Sequence, residues 1–331
     1  SPIMMVLAPF IMIKFYFKTK ISLQLYIRIL KKTLSGFSSV LKMNIQDTGS
    51  SALSWTSMIS ILIWLVFYIH GLCSNLNNSR NTNKITNLSN NIHFSKIDIN
   101  NHKSLSKFFK NRKFDIVIHL AAIVGDPASK KFPKLTKKTN LISSKKLFNL
   151  CVKNNVKKFI FFSTCSNYGL SSSSLLLNEK SPLKPLSIYA RTKVDFEKYL
   201  IKDKNKITKI IFRISTLFGV SPRMRYDLTI NEFTKLLFLK KKLDVFDSLT
   251  WRPYIHLEDL SKIVNYFLNL NLGFKSKVFN IGVKNANYTK QDICKEIIKQ
   301  MPNRKKYISY SKKPSKDKRN YKVNFSKISK F

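Results

Sequence analysis

Between Ile92 and Ile214 the chain alternates short apolar runs with longer, helix-patterned ones. Asp115–Leu120 (DIVIHL), Lys158–Ser163 (KFIFFS) and Lys209–Ile214 read as buried strands, being short and rich in β-branched and aromatic residues. Ile92–Ile99 reads as another strand, ending at Asp98. Lys103–Lys110, Asn140–Asn154 and Ile188–Ile201 read as helices; the second carries apolar residues at Leu141, Leu147, Phe148 and Leu150. Strands that are apolar on both faces need cover on both faces, and helices between them supply it. The order therefore predicts an α/β fold with a doubly wound parallel sheet, whose ligands sit at the C-terminal ends of the strands. Beyond Ser221 the pattern is more irregular. It holds a helix near Leu228–Leu239, the run WRPYIHLEDL, a helix through Val264–Leu270, a strand Lys277–Ile281 and a helix from Lys290.

Composition sets the function classes to weigh. Of 331 residues, 44% are hydrophobic, which is ordinary for a globular chain, but 60 Lys and Arg against 17 acids leave a net charge of +43. Such an excess reads either as affinity for a polyanion, nucleic acid or membrane surface, or as compositional drift towards Lys, Asn and Ile. The lysines are scattered along the chain and no helix-turn-helix, zinc-finger or aromatic RNA-binding signature accompanies them, so no specific nucleic-acid partner is expected. Cys73, Cys151, Cys165 and Cys294 stand far apart without a C-x-x-C pair, which gives no zinc site or disulfide framework and suits a reducing, cytoplasmic compartment. The five histidines are equally dispersed, and no metal site is expected.

Two residues carry the chemistry. Tyr189 and Lys193 stand four apart in SIYARTK, on one face of a predicted helix. An ammonium beside a phenol favours the phenolate, which suits a general base. With 13 Tyr and this much Lys, about two Y-x-x-x-K matches arise by chance, and Tyr16 with Lys20 is taken as one. Context separates the pairs. Upstream of Tyr189, FIFFSTCSNYG ends a strand in Ser163 and Thr164, where a hydroxyl can orient a substrate hydroxyl. Before that, DIVIHLAA ends in Ala121 and Ala122, small enough for a ligand to approach the backbone.

These segments, with KIDI, FRISTLFGVSPRMRYDL, WRPYIHLEDL, VFNIGVKNANY and RNYKVNFSKI, occur in an order that resembles the extended short-chain dehydrogenase/reductases, specifically the NAD-dependent nucleotide-sugar epimerases and dehydratases. The resemblance runs from about Asn91 to Phe331. It implies a Rossmann-like cofactor domain binding NAD or NADP and a smaller C-terminal part binding a nucleotide sugar. Tyr189 is then the base that removes a proton from a sugar hydroxyl, Lys193 the holder of the nicotinamide ribose, and Thr164 the hydroxyl partner. Asp98 and Ile99 would lie along the adenine, and Leu120, Ala121 and Ala122 along the cofactor's phosphates and ribose. Arg252 is similar to the family's contact to the sugar-nucleotide diphosphate, with Arg223 and Arg225 as further candidates. Thr164 is followed by Cys165 and Ser166 where the family's dehydratases carry Asp and Glu, which points to epimerisation or keto-sugar reduction. The resemblance also implies a homodimer formed through the Tyr189 helix and its neighbour.

The departure lies at the N-terminus. Family members open with a strand leading into G-x-x-G-x-x-G, and nothing in residues 1–90 matches it. The expected division is an atypical region 1–75, an incomplete cofactor domain 76–220 and a substrate-binding part 221–331. The first region is read either as frame-shifted or as a membrane anchor through 52–72, where an apolar stretch follows a Lys-rich one. That leaves a cytoplasmic enzyme as the first reading. The alternatives are a catalytically impaired or membrane-anchored member of the same family, and a basic nucleic-acid binder. A start without Met and a stop at Phe331 are read as signs of an incomplete or processed chain.

Overall fold

The computed structural model describes residues 3–8, 11–15, 92–110, 112–172, 175–220, 225–273, 276–311, 313 and 317–331. Its first part comprises β1 (Ile3–Ala8), β2 (Ile11–Phe15), β3 (Ile92–Lys96), α1 (His102–Lys110) and β4 (Ile116–His119). Next come α2 (Asp126–Lys131), α3 (Pro133–Lys137), a π-helical segment Lys138–Ser143 and α4 (Ser144–Lys153). β5 (Lys158–Thr164), a 3₁₀ turn Cys165–Tyr168, β6 (Leu176–Leu177), α5 (Ile188–Lys202), β7 (Thr208–Ile214) and β8 (Thr216–Phe218) follow. The remainder is α6 (Thr229–Phe238), β9 (Leu243–Phe246), β10 (Trp251–His256), α7 (Leu257–Asn269), β11 (Ser276–Ile281), β12 (Asn287–Thr289), α8 (Lys290–Gln300), β13 (Ile308–Ser311) and β14 (Lys322–Val323).

The main sheet has the order β11-β7-β5-β4-β1-β2-β3. From β11 to β1 every neighbouring pair is parallel. β2 runs antiparallel to both β1 and β3, so the expected parallel sheet is broken at one strand. The reason is local: two residues, Pro9 and Phe10, separate β1 from β2, and a parallel crossover needs a dozen or more.

Side chains alternate across this sheet into two cores. Val117, Phe159, Phe161 and Ile211 face α1, α4 and α5 through Phe109, Phe148 and Phe196, with Met4 of β1 in the same cluster. Ile118, Ile160, Ile210 and Phe212 face α7 through Leu260, Val264 and Phe267. A third cluster, Phe233, Leu237, Leu243, Val245, Tyr254, Ile293 and Ile297, holds the C-terminal elements together.

Two helices differ from their expected form. The stretch expected as one helix from Asn140 to Asn154 is a π segment followed by α4. The last helix before β11 starts at Leu257, not Val264, because His256 caps it by accepting a hydrogen bond from the Glu258 N–H. Residues 52–72, the candidate membrane anchor, lie outside the described residues, as do Tyr16, Lys20, Cys73 and Arg223. Among the described residues no helix is long and apolar enough to cross a membrane.

Candidate active site at the carboxyl edge of the sheet

Thr164 ends β5, and Tyr189 lies in the first turn of α5, whose start Ser187 caps by accepting from the Ala190 N–H. This entry brings the Tyr189 phenol beside the Thr164 hydroxyl, which favours the phenolate. Thr164 Oγ1 also accepts from the Ser166 N–H at 3.1 Å, which fixes the hydroxyl's orientation. One turn along α5, Lys193 donates from Nζ to the Phe162 carbonyl at 2.8 Å and lies 4.6 Å above the Phe161 ring. Both side chains are buried, Tyr189 at 8% and Lys193 at 3% exposure.

Burial governs their ionisation. It pushes the Tyr189 phenol up to about 12 against the opposing effect of the Thr164 hydroxyl, and it pulls the Lys193 ammonium down to about 7 against the pull of Glu197. The sequence expectation that Lys193 lowers the tyrosine is therefore not the dominant effect here. The ammonium is turned to a backbone carbonyl, 6.0 Å from the Tyr189 ring centre.

Around the phenol stands a ring of charge. Asp126, at the start of α2, and Arg319 both act on it through space, and Arg225 is coupled to it as well. Arg319 donates to Ser166 Oγ at 3.0 Å, pairs with Asp317 at 2.8 Å and reaches Asp126 at 3.5 Å. Arg252 pairs with the same Asp317 at 3.1 Å and stacks 5.2 Å over the Tyr321 ring. Arg225 is held by Asp227 at 2.6 Å. One oxygen of Asp126, Oδ1, is buried with no hydrogen-bond partner among the described residues.

The other expected residues line the same edge. Ala121 and Ala122 follow β4 and are both buried, Ala121 in the core beside α1, α4 and α5. Leu120 packs partly against the core. Asp98 accepts from the Asn100 N–H at 2.8 Å just past β3, and Ile99 is fully buried in the α1 core. Asn140, in the π segment, ties the loop after β4 to α5: its Oδ1 accepts from the Ile123 N–H at 2.8 Å, and its Nδ2 donates to the Ile123 carbonyl at 3.0 Å and to Thr192 Oγ1 at 3.3 Å. Sequence reasoning gave no role to Arg319, Asp126 or Asp317. The available signal was the scarcity of acids, which makes each acid near RNYKV or the DIVIHLAA strand end conspicuous.

The sequence pattern of the NAD dependent epimerase/dehydratase family matches residues 70–282. The chain belongs to that family. It is 30% identical over 241 residues to a dTDP-D-glucose 4,6-dehydratase of Dictyostelium discoideum, covering 68% of this chain and 53% of that protein. It is 32% identical over 192 residues to a UDP-glucose 4-epimerase of Caenorhabditis elegans, covering 51% of this chain and 54% of that one. The chain thus spans about half the length of the curated relatives it matches. Among solved structures, UDP-glucuronic acid 4-epimerase from Bacillus cereus in complex with UDP-glucuronic acid and NAD superposes with a TM-score of 0.60 at 28% identity, covering 70% of this chain and 73% of that one. The family match begins beyond β1 and β2.

Proposed function

We propose that this chain is an NAD(P)-dependent epimerase or keto-reductase acting on a nucleotide sugar. The observation that carries this reading is the placement of Tyr189 beside the Thr164 hydroxyl at the carboxyl edge of a parallel sheet, with Lys193 one helical turn along α5 and anchored to the Phe162 carbonyl. Tyr189 removes the proton of a sugar hydroxyl, and Thr164 orients the phenol and that hydroxyl. Lys193 would hold a ribose hydroxyl of the cofactor, with Leu120, Ala121 and Ala122 along its phosphates and ribose and Asp98 and Ile99 along its adenine. The bound nicotinamide supplies hydride acceptor and donor chemistry at the sugar carbon. Arg252, with Arg225 and Arg319, faces the anionic part of the sugar nucleotide, where a guanidinium fork matches phosphate oxygens.

Cys165 supports epimerisation or reduction over dehydration. Burial pushes its thiol up to about 12, so at neutral pH it stays protonated, donating to the Arg213 carbonyl at 3.1 Å. It supplies no second acid/base of the kind that loss of water requires.

A specific observation favours a second reading, an impaired member of the family. The residues fit the nicotinamide and adenine ends of the cofactor, but the two-residue link from β1 to β2 leaves no helix N-terminus at the end of β1 to receive a pyrophosphate. Titration of the purified chain with NADH and NADPH at moderate salt, alongside Lys193→Ala, separates the two. Saturable binding weakened by the substitution supports the enzyme and leads to incubation with UDP-glucose, UDP-glucuronic acid and dTDP-glucose. A folded chain that binds neither nucleotide supports the impaired reading.

A further inference from the structure

Three consecutive residues at the end of β5 face α5, and two of them are hydrogen-bonded to it. The Phe162 carbonyl accepts from Lys193 at 2.8 Å, Ser163 Oγ donates to Glu197 Oε1, and the Thr164 hydroxyl meets the Tyr189 phenol. Tyr189, Lys193 and Glu197 follow one another at four-residue spacing and share one face of the helix. Glu197 is 1% exposed. Its Oε1 accepts a further bond from Asn167 Nδ2 at 2.7 Å, and its Oε2 takes Arg213 Nη2 at 2.8 Å and Nε at 3.1 Å. Arg213, 4% exposed on β7, donates its Nη1 to the Tyr168 hydroxyl at 3.0 Å and to the Glu179 carbonyl at 3.1 Å.

A buried ion pair is a poor device for stability alone, because apolar residues of similar volume fill such a site as well or better. What apolar residues lack is the carboxylate, whose serine partner sits between Phe162, which holds Lys193, and Thr164, which stands beside Tyr189. We propose that Glu197, with Arg213 as its counter-ion, is a positioning residue of the active site, locking the Phe162–Thr164 strand end to α5 so that the Tyr189 hydroxyl and the Lys193 ammonium keep their places. The inference rests on the reading of this edge as a dehydrogenase-type centre.

The groups that face Lys193 make Glu197 matter for its charge. On α5 these are Tyr189 and Glu197; on β5, the Phe161 ring and the Phe162 carbonyl. From β4 comes His119, fully buried, lowered well below its usual value by burial and by Lys193, and therefore neutral. Arg213 on β7 pairs with Glu197. Glu197 is the one anion in this set, and it opposes the effect of burial on the ammonium.

The test compares the unaltered chain with Glu197→Gln, Glu197→Asp and the double variant Glu197→Gln/Arg213→Met, by thermal melting, by NADH binding between pH 6 and 9, and by the Lys193 ¹³Cε resonance, assigned through its loss in Lys193→Arg. Glu197→Gln alone leaves Arg213 buried without its counter-charge and tests the fold. The double variant removes both charges. It is expected to melt close to the unaltered chain, with Lys193 titrating about one pH unit lower and NADH affinity at pH 8 reduced about tenfold. Glu197→Asp keeps the charge but draws it back from Ser163. It is expected to lower NADH affinity while Lys193 titrates near its original value. A folded double variant with unchanged Lys193 titration and NADH profile would overturn the proposal and leave the pair a packing device. If the unaltered chain binds no NADH, the cofactor reading fails, and the Lys193 titration, which needs no ligand, decides the role of Glu197 by itself.

Discussion

At the scale of single residues, the phenol of Tyr189 sits where burial opposes ionisation and one hydroxyl, that of Thr164, favours it. Removing the phenol oxygen by Tyr189→Phe keeps the ring and its packing. It is therefore expected to reduce turnover of an accepted nucleotide sugar by about 10²–10⁴-fold, with NADH affinity little changed, as followed by NMR of the sugar product. Asp317 gives a second expectation. Burial alone would raise its carboxyl, but the hydrogen bonds of Arg319 and the charge of Arg252 outweigh burial and hold it well below the ordinary 3.8. A carboxyl whose folded value lies below its unfolded one stabilises above the unfolded value and loses that contribution as pH falls through the folded one. Urea melts between pH 2 and 6 are thus expected to show stability falling below about pH 4, with a shallower fall in Asp317→Asn. Tyr189, Lys193 and Thr164 were legible because spacing and strand ends place them. Arg319 and Asp126 were not, because nearly two hundred residues separate them in sequence and the sheet alone brings them to 3.5 Å. Glu197 and Arg213 left a fainter trace: an acid four residues past Lys193, and a guanidinium inside a run that is otherwise fit for a buried strand.

At the scale of elements, Lys158 at the start of β5 illustrates how strand and helix are registered. Its Nζ donates to the carbonyls of Phe267, Leu268 and Leu270 at 2.9, 2.7 and 2.9 Å, closing the C-terminal end of α7, where backbone carbonyls lack helical partners. Lys158→Met retains the aliphatic stem and leaves those carbonyls open, so a loss of roughly 1–3 kcal/mol is expected in urea unfolding. Gly169 closes the turn after Cys165–Tyr168 with φ at 69°, and a Cβ there would lie 1.8 Å from the Lys184 carbonyl oxygen. Gly169→Ala is therefore expected to shift the loop that leads towards Ser187 and to lower the melting temperature. The strands β4, β5 and β7 were legible because runs apolar on both faces have few other solutions. β1 and β2 were not, since an apolar stretch from Ile3 to Ile13 carries no period that reveals two antiparallel strands within it. The π segment was also hidden, because Asn140 departs from regular helix to reach Ile123 and Thr192, contacts that only the tertiary fold creates.

At the scale of the whole molecule, a net charge of +43 attracts every anion, and a nicotinamide dinucleotide is an anion. Binding observed at low salt therefore does not by itself identify a site. Salt dependence does. A polyanion that neutralises many lysines releases many counter-ions, and its affinity falls with a logarithmic slope of roughly 0.7–0.9 for each phosphate engaged. A dinucleotide held at this edge by Lys193 engages at most its own two phosphates, and buried contacts are screened far less than exposed ones. Heparin or duplex DNA binding is thus expected to collapse between about 50 and 200 mM salt, while NADH binding declines shallowly. Lys193→Ala is expected to weaken NADH without moving the polyanion curve, because Lys193 is buried and the polyanion meets the exposed lysines. If the NADH curve instead falls in parallel with that of DNA and ignores Lys193→Ala, the nucleotide is held by surface charge. The edge built around Tyr189 would then be a family fold without a bound cofactor.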